Sequence, residues 1–526
     1  MDKFLAVQSL IIVLLLIVSL VAIAVRRLRV PYTVALVLVG LLITFQQPLE
    51  ISLTPELILS LFVPPLVFEA AFHLEFRSLR ENWLPILGLA VPGVLLTTLI
   101  VGVIVAIGLH VSLLSALVFG ALISATDPVA VVALFRSLGV PKRLSVLIEA
   151  ESLLNDGTAI VIFQIVLAAA LAATAAPESS NVNGEFDLLA ALIGFIRVSA
   201  GGLGVGIACG WLISQITARI DDYLIETTLT TVLAFGSYLI AERLHVSGVL
   251  AVVAAGVLMG NFGLRSMSPT TRIVLFNFWE YLAFVTNSLV FLLIGSEVNL
   301  RQVFAYLLPI GVAIIGILVS RAIVVYGLTS LSNFGGERIP LSFQHVLYWG
   351  GLRGAISLAL ALSLPAAFAD RELMRVLTFG VVLFTLLVQG TTMQLLLKRL
   401  DGGREQKLEH EYERRHARTI AAHAALRRVK QLSDDGVISI DTRDQLEEKL
   451  QDQIEDALEA ESQLLRAYPN LQAEEREDAE LEGLRASRAA LADLLKNGII
   501  SQTVLDELIT EVDGAIAKVN KSKIRV

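Results

Sequence analysis

Long apolar segments recur along the first 400 residues and constrain the possible folds more strongly than any other feature. Each approaches the roughly 20 apolar residues that an α-helix needs to cross a bilayer, although the second is short. With 55% hydrophobic residues and a mean hydropathy of +0.73, the chain is also too apolar for an ordinary soluble protein. We therefore predict an all-α polytopic membrane protein with about thirteen transmembrane helices, at about 4–25, 31–45, 54–72, 83–109, 112–135, 145–173, 187–213, 223–241, 246–263, 273–295, 302–328, 341–365 and 373–398.

Basic residues in the predicted loops indicate the orientation in the membrane. The six loops on one side hold twelve arginine and lysine residues, and the predicted outward loop at 174–186 holds none. The six loops on the other side hold only Arg243, Arg301, Arg371 and Arg375. Because basic loops favour the cytoplasmic side, we expect the amino terminus outside a plasma or bacterial inner membrane. After an odd number of spans, the carboxyl-terminal tail would then be cytoplasmic.

The tail is chemically different from the rest of the chain. In residues 401–526, 46 of 126 side chains are charged, and leucines recur at helical spacing. The stretch L-S-D-D-G-V-I-S at 432–439 returns as L-L-K-N-G-I-I-S at 494–501, a weak internal repeat in which each copy predicts helix, glycine turn, helix. We thus predict a transmembrane domain at 1–400 and a charged, helical tail at 401–526.

Two aspartates stand within consecutive apolar segments. A charge at bilayer depth costs at least about 2.5 to 3.5 kcal/mol, so Asp127 and Asp156 indicate function. Pro128 removes a backbone donor and disfavours helical dihedrals at Asp127, which predicts a break in that helix. At 1.5 Å per residue, Asp127 lies roughly 13 Å and Asp156 roughly 18 Å from the connecting loop, so both can belong to one site. The alternative is that each carboxylate is merely neutralised by a neighbour.

The second of these segments carries further polar side chains at helical spacing. Ser152 and Asp156 lie four residues apart on one face, and Glu151 and Asn155 lie four apart on the adjacent stripe. The pattern predicts a row of polar ligands that faces the break at Asp127.

Two arginines in the second half of the chain also lie within apolar segments. Arg321 and Arg353 cannot lose their protons, so each requires a carboxylate or backbone carbonyls. Glu151 is the natural partner for one of them, and spacing alone does not decide which. Glycines at 350, 351 and 354 predict a second broken helix, and interrupted helices in corresponding halves are typical of inverted-repeat transporters.

At four places the sequence resembles the monovalent cation/proton antiporter family, in its NhaP-like and animal sodium/proton exchanger branch. The matching stretches are F-E-A-A-F at 68–72, T-D-P at 126–128, E-S-L-L-N-D at 151–156 and G-G-L-R-G-A-I-S at 350–357. The resemblance covers residues 1 to about 400 and does not extend to the tail. It implies a homodimer of thirteen-span protomers, each with a dimerisation domain and a mobile core domain.

The resemblance also implies a set of site residues. Asp156 would be the carboxylate shared by the cation and the proton, and Na+ would bind at Asp156, Ser152 and the Thr126 carbonyl. Asp127 and, through water, Glu69 would complete the ion site. The structural members would be Asn155, Glu151 with Arg321 as its counter-ion, and Arg353 as a second core arginine.

We therefore expect a transporter rather than an enzyme, exchanging Na+ or Li+ for H+ one for one by alternating access, with a role in pH homeostasis. No cofactor and no nucleic-acid partner are expected, only the ions, membrane lipid and a second protomer. The single cysteine, Cys209, excludes an intrachain disulfide. The alternatives are K+/H+ exchange, a cation channel and an intramembrane aspartyl protease, although the expected G-x-G-D is replaced by N-D-G.

Overall fold

The computed structural model of the chain describes residues 2–28, 31–46, 54–138, 140–175, 188–297, 300–333, 339–400, 402–496 and 499–523. Arg29, Arg338, Gly498 and most of the predicted outward loop at 174–186 lie outside these ranges. The chain divides into two compact units, Met1–Gly402 and Gly403–Val526. All regular elements in the described ranges are helical, so the all-α prediction is confirmed.

The first half of the first unit is a series of helices, most of them apolar. A π-helical turn, Leu57–Phe62, leads into the third helix. Ser112 caps the seventh helix by accepting a hydrogen bond from the backbone N–H of Ser115 at 3.1 Å. The helices are α1 (Asp2–Leu28), α2 (Tyr32–Gln46), α3 (Val63–His73), α4 (Phe76–Glu81), α5 (Trp83–Ala90), α6 (Pro92–Leu109), α7 (Leu113–Ser124), α8 (Val129–Leu138) and α9 (Lys142–Ala175).

The second half of the first unit continues the series. Asp222 and Ser247 begin two of its helices by accepting hydrogen bonds from backbone N–H groups of the first turn. Another π-helical turn, Thr385–Gly390, precedes the last helix. The helices are α10 (Leu188–Thr217), α11 (Tyr223–Arg243), α12 (Gly248–Asn261), α13 (Pro269–Glu297), α14 (Leu300–Ala305), α15 (Leu307–Ser332), α16 (Leu341–Trp349), α17 (Ala355–Leu362), α18 (Arg371–Phe384) and α19 (Thr391–Arg399).

Every predicted span coincides with one of these helices or with a broken pair of them. Within the described ranges, eight helices are long and apolar enough to cross a membrane by length and composition. Four shorter apolar helices accompany them, at Ile12–Val25, Tyr32–Ile43, Ile58–His73 and Leu113–Ser124. The chain is a multi-pass membrane protein, and the count of thirteen stays a prediction.

The helices of the first unit pack in two groups. In the first group, which we name the scaffold helices (α1–α3 and α10–α13), α13 packs on α2, and α12 packs on α3, α10 and α11. In the second, the core helices (α5–α9 and α15–α19), α6 packs on α7 and α15, and α9 packs on α5 and α7. Gly202 and Gly206 of α10 lie so close to the carbonyls of Ser247 and Ala251 that a Cβ would overlap them, so small residues allow this close approach.

Two core helices are broken, and the breaks meet. The backbone is non-helical at residues 125–128, between α7 and α8, and at residues 351–354, between α16 and α17. The Asp127 N–H donates a hydrogen bond to the Leu352 carbonyl at 2.8 Å, so one break partly satisfies the backbone of the other. Unwound backbone at membrane depth requires such internal partners. The prediction of two broken helices is confirmed.

The second unit consists of four described helices: α20 (Gly402–Asp434), α21 (Ile440–Ala467), α22 (Pro469–Lys496) and α23 (Gln502–Lys523). Gly436 adopts a φ of +71° in the turn after α20, which is the left-handed conformation predicted for a glycine stop. The Glu461 carboxylate of α21 accepts a hydrogen bond from the Thr419 hydroxyl of α20 at 3.0 Å and contacts His416 Nδ1 at 2.7 Å. The first repeat copy is thus helix, glycine turn, helix.

Candidate ion-binding site

The first break is shaped by Asp127 and its neighbours. The Asp127 carboxylate accepts a hydrogen bond from the Val129 N–H at 2.9 Å and thereby caps the amino terminus of α8. Gly354 of the second break lies directly against this side chain, because a Cβ at that position would overlap the carboxylate. Asp127 therefore has a structural role in addition to any contact with an ion.

Arg353 from the second break stabilises the opposite end of the first. The residue is 1% exposed, and its guanidinium donates hydrogen bonds to the carbonyls of Ser124 at 2.6 Å and Ala125 at 3.0 Å. These carbonyls end α7, where the helix dipole favours a positive charge. Arg353 is thus a cap for α7, which gives this predicted residue a defined place.

Asn155 and Ser152 of α9 hold the unwound segment at Thr126. The Asn155 amide donates to the Thr126 hydroxyl at 2.6 Å and accepts from the Thr126 N–H at 3.3 Å. The Ser152 hydroxyl donates to the Thr126 carbonyl. One face of α9 therefore fixes both the position and the direction of the Thr126 carbonyl.

Glu151 lies beside this face and forms a buried ion pair with Arg321 of α15. Two hydrogen bonds, of 2.8 and 3.1 Å, join the guanidinium to the two carboxylate oxygens. Arg321 also donates to the Leu347 carbonyl at 3.0 Å, near the end of α16, and the Asn155 amide reaches Glu151 at 3.1 Å. The structure therefore brings Glu151 to Arg321 rather than to Arg353.

Asp156 faces a small cavity beside the first break. The cavity has a volume of about 70 Å³, and Asp156 is 8% exposed. Within the described ranges, no hydrogen bond from the protein reaches the Asp156 carboxylate. Four predicted site residues, all with oxygen-bearing side chains, line this cavity: Thr126, Asp127, Ser152 and Asp156. Carboxylate, carbonyl and hydroxyl oxygens are the ligands that hard cations prefer.

A larger cavity adjoins the first and has a volume of about 490 Å³. We name it the vestibule. Its polar lining includes the acids Glu69, Glu149 and Glu280 together with His73, whose Nδ1 lies 2.8 Å from the Glu69 carbonyl oxygen. The two cavities share five lining residues, namely Leu66, Ala70, Pro128, Val129 and Asn287. Glu69 thus lies in the vestibule and not among the residues that line the Asp156 cavity.

Sequence reasoning missed two polar residues of α13, Glu280 and Asn287. Both line the vestibule, and Asn287 also lines the Asp156 cavity. They stand seven residues apart in a mainly apolar helix, a spacing that places them on one face. That helical spacing was the sequence signal from which the two residues could have been identified.

The sequence is similar to sequences of known proteins. Residues 12–399 match the family described as "Sodium/hydrogen exchanger, transmembrane". The chain is 38% identical over 490 residues to the low-affinity Na+/H+ antiporter NhaS1 of Synechocystis sp., covering 92% of this chain and 91% of that protein. It is 44% identical over 406 residues to the Na+/H+ antiporter ApNhaP of Aphanothece halophytica, covering 76% and 75% of the two chains.

A solved structure has the same fold. The sodium proton antiporter MjNhaP1 of Methanocaldococcus jannaschii, determined at pH 8, superimposes with a TM-score of 0.59 at 21% identity. The match covers 77% of this chain and 98% of that one. The family match ends at residue 399, which agrees with the extent of the resemblance predicted from the motifs, whereas the 490 residues matched to NhaS1 also include part of the tail.

Proposed function

Because the chain belongs to the sodium/hydrogen exchanger family, which is a family of transporters and not of enzymes, we propose that it exchanges Na+ for H+ across the membrane. Membership of this family excludes the alternative of an intramembrane aspartyl protease. The observation that carries the proposal is the Asp156 carboxylate, which opens into a cavity beside the Thr126 carbonyl and the Ser152 hydroxyl. This is the arrangement that a cation and a proton can occupy only in turn.

The coupling follows from this competition. A buried carboxylate is favoured either by a bound proton, which neutralises it, or by a cation that compensates its charge. In our proposal Na+ binds the oxygens of Asp156, Ser152 and Thr126, and its release is accompanied by protonation of Asp156. Binding of one excludes binding of the other, so transport of the two ions is linked. No cofactor takes part.

The remaining carboxylates support a one-for-one exchange. Glu151 is held in its ion pair with Arg321, and Asp127 caps α8. Asn155 cannot titrate and is engaged with Thr126 and Glu151. Asp156 is therefore the group in this cavity whose protonation can alternate with cation binding, and the cycle moves no net charge.

The vestibule supplies the route to the site. Its acids attract cations and raise their local concentration at the shared wall of the two cavities. By the predicted orientation it faces the cytoplasm, so we assign the structure to an inward-open conformation. Alternating access would follow from movement of the core helices, which carry Asp156, against the scaffold helices. We further propose a homodimer in the cell membrane, with the amino terminus outside and the tail in the cytoplasm, that transports Li+ as well as Na+ and serves pH homeostasis.

The test is cation-induced proton movement in proteoliposomes. Purified protein is reconstituted with a pH-sensitive dye, and Na+, Li+ and K+ are added in turn. Wild-type protein should move protons with Na+ and Li+, and Asp156→Asn, which is nearly isosteric, should insert but move none. A response to K+ alone would replace the Na+ assignment with K+/H+ exchange. Current without a proton gradient would indicate a channel.

A further inference from the structure

Asn287 has an unusual position between the two cavities. Its side chain is 9% exposed and lines both the Asp156 cavity and the vestibule. No hydrogen bond joins its amide to any residue in the described part of the chain. A buried amide normally has hydrogen-bond partners, because burial without them costs free energy. Because the Asn287 amide faces two cavities and not a protein partner, it can contact an ion that passes from one cavity to the other.

The surroundings of Asn287 make this more specific. The scaffold helices contribute four other side chains to the Asp156 cavity, and all four belong to α3 and are apolar: Val63, Leu66, Val67 and Ala70. The other polar lining residues come from the core helices and the first break: Thr126, Asp127, Ser152, Asp156 and Ser357. Asn287 is therefore the polar group that the scaffold lining of this cavity presents to the site.

A cation that leaves the vestibule for the Asp156 cavity must lose part of its hydration shell. An amide carbonyl is a neutral oxygen ligand, so it can replace one water without adding a further negative charge beside Asp127 and Asp156. The amide N–H₂ can in turn donate to the carbonyl oxygen of the protonated Asp156 carboxyl group once the cation has been exchanged for a proton. Both roles need a side chain at the boundary of the two cavities, which is where Asn287 lies.

We propose that Asn287 is a ligand of the transported cation at the entrance to the site, and that it determines cation affinity and preference among Na+, Li+ and K+. This inference rests on the proposed exchange function and adds a residue from the scaffold helices to a site otherwise built from the core. Because the ligand is neutral, removing it weakens cation binding and leaves the proton-carrying carboxylate in place.

The test measures initial rates of exchange in proteoliposomes as a function of Na+, Li+ and K+ concentration. Asn287→Ala should raise the apparent KM for Na+ by about fivefold, the equivalent of one lost polar interaction, with a maximal rate close to wild type. The ratios of the KM values among the three cations should change as well. The matched control is Thr286→Val, an isosteric change at the preceding residue, which is buried and lines neither cavity. It should leave the KM values unchanged.

Asn287→Asp gives an independent readout, because it is isosteric and keeps an oxygen in place while adding charge. We expect a lower apparent KM for Na+. Unchanged KM values and cation ratios in both variants would overturn the proposal, as would a fall in maximal rate alone, which would indicate a structural role. If the wild-type protein moves no protons with any cation, the exchange function itself is wrong, an outcome distinct from either of these.

Discussion

Removing one partner of the Glu151–Arg321 pair should destabilise the protein by roughly 3 to 5 kcal/mol, because a buried charge then loses its counter-ion. The two side chains are 2% and 8% exposed and share hydrogen bonds of 2.8 and 3.1 Å. Glu151→Gln removes the negative charge and one of the two carboxylate acceptors, and leaves the guanidinium with the Leu347 carbonyl and a neutral amide oxygen. Arg321→Gln leaves the carboxylate with the Asn155 amide. The double variant contains neither charge, so its loss should be smaller than the sum of the single losses by about 1 to 3 kcal/mol.

The measurement is a double-mutant cycle on the free energy of unfolding. Purified wild-type protein, both single variants and the double variant are unfolded in mixed micelles by titration with sodium dodecyl sulfate, and helix content is followed by circular dichroism. The matched control is the exposed pair Arg77–Glu81, whose atoms lie 2.9 Å apart with the side chains 80% and 55% exposed. Arg77→Gln should cost no more than about 0.5 kcal/mol, because water solvates both charges.

Two results would refute this reasoning. If the losses of the two single variants add to that of the double variant within about 0.5 kcal/mol, the residues do not interact energetically. If Glu151→Gln lowers the free energy of unfolding by no more than Arg77→Gln does, the buried pair stabilises the protein no more than a surface contact.

Three further outcomes are expected. Gly354→Ala places a Cβ 2.6 Å from that of Asp127, so it should cost about 1 to 3 kcal/mol of stability and abolish exchange. The control is Gly311→Ala, because nothing lies within 4 Å of the new Cβ there. Normal exchange by Gly354→Ala would contradict the close contact. A chain ended after Arg404 retains every site residue and should still exchange ions with an altered pH profile, whereas complete loss in folded protein would make the tail part of the transport machinery. In liposomes whose membrane potential is clamped with K+ and valinomycin, the Na+ gradient that balances a fixed pH gradient should not change with voltage, because a one-for-one cycle moves no net charge. Each net charge moved would contribute about 2.3 kcal/mol per 100 mV, so a shift of the balance point would mean that a second proton moves.

The two breaks and the polar face of α9 were predictable from the sequence because each depends on local chemistry. Pro128 cannot continue a helix, and the spacing of Ser152 and Asp156 is fixed by helical periodicity. The need of Glu151 for a cation was also predictable, since a buried carboxylate requires one. Its choice of Arg321 over Arg353 depended on family resemblance, because contacts between distant helices are not encoded in local spacing.

The sequence was less informative about what faces the cavities. An asparagine such as Asn287 can be satisfied between helices, at a membrane interface or in a cavity, and its type does not distinguish these environments. Glu69 follows a π-helical turn, which shifts the register of α3 against a regular 3.6-residue repeat. Its place in the vestibule therefore could not be read from apolar periodicity alone. The capping role of Arg353 likewise required knowing which helix ends meet.

The hydrogen bond from the Ser152 hydroxyl to the Thr126 carbonyl has a consequence for cation selectivity. It joins two of the proposed cation ligands to each other. A hydroxyl that donates keeps its lone pairs and a carbonyl has two, so both oxygens can contact a cation while the bond between them persists. Their separation is therefore set by the fold and not by the ion, and a cation whose size does not suit that separation would have to break a bond worth roughly 0.5 to 1.5 kcal/mol.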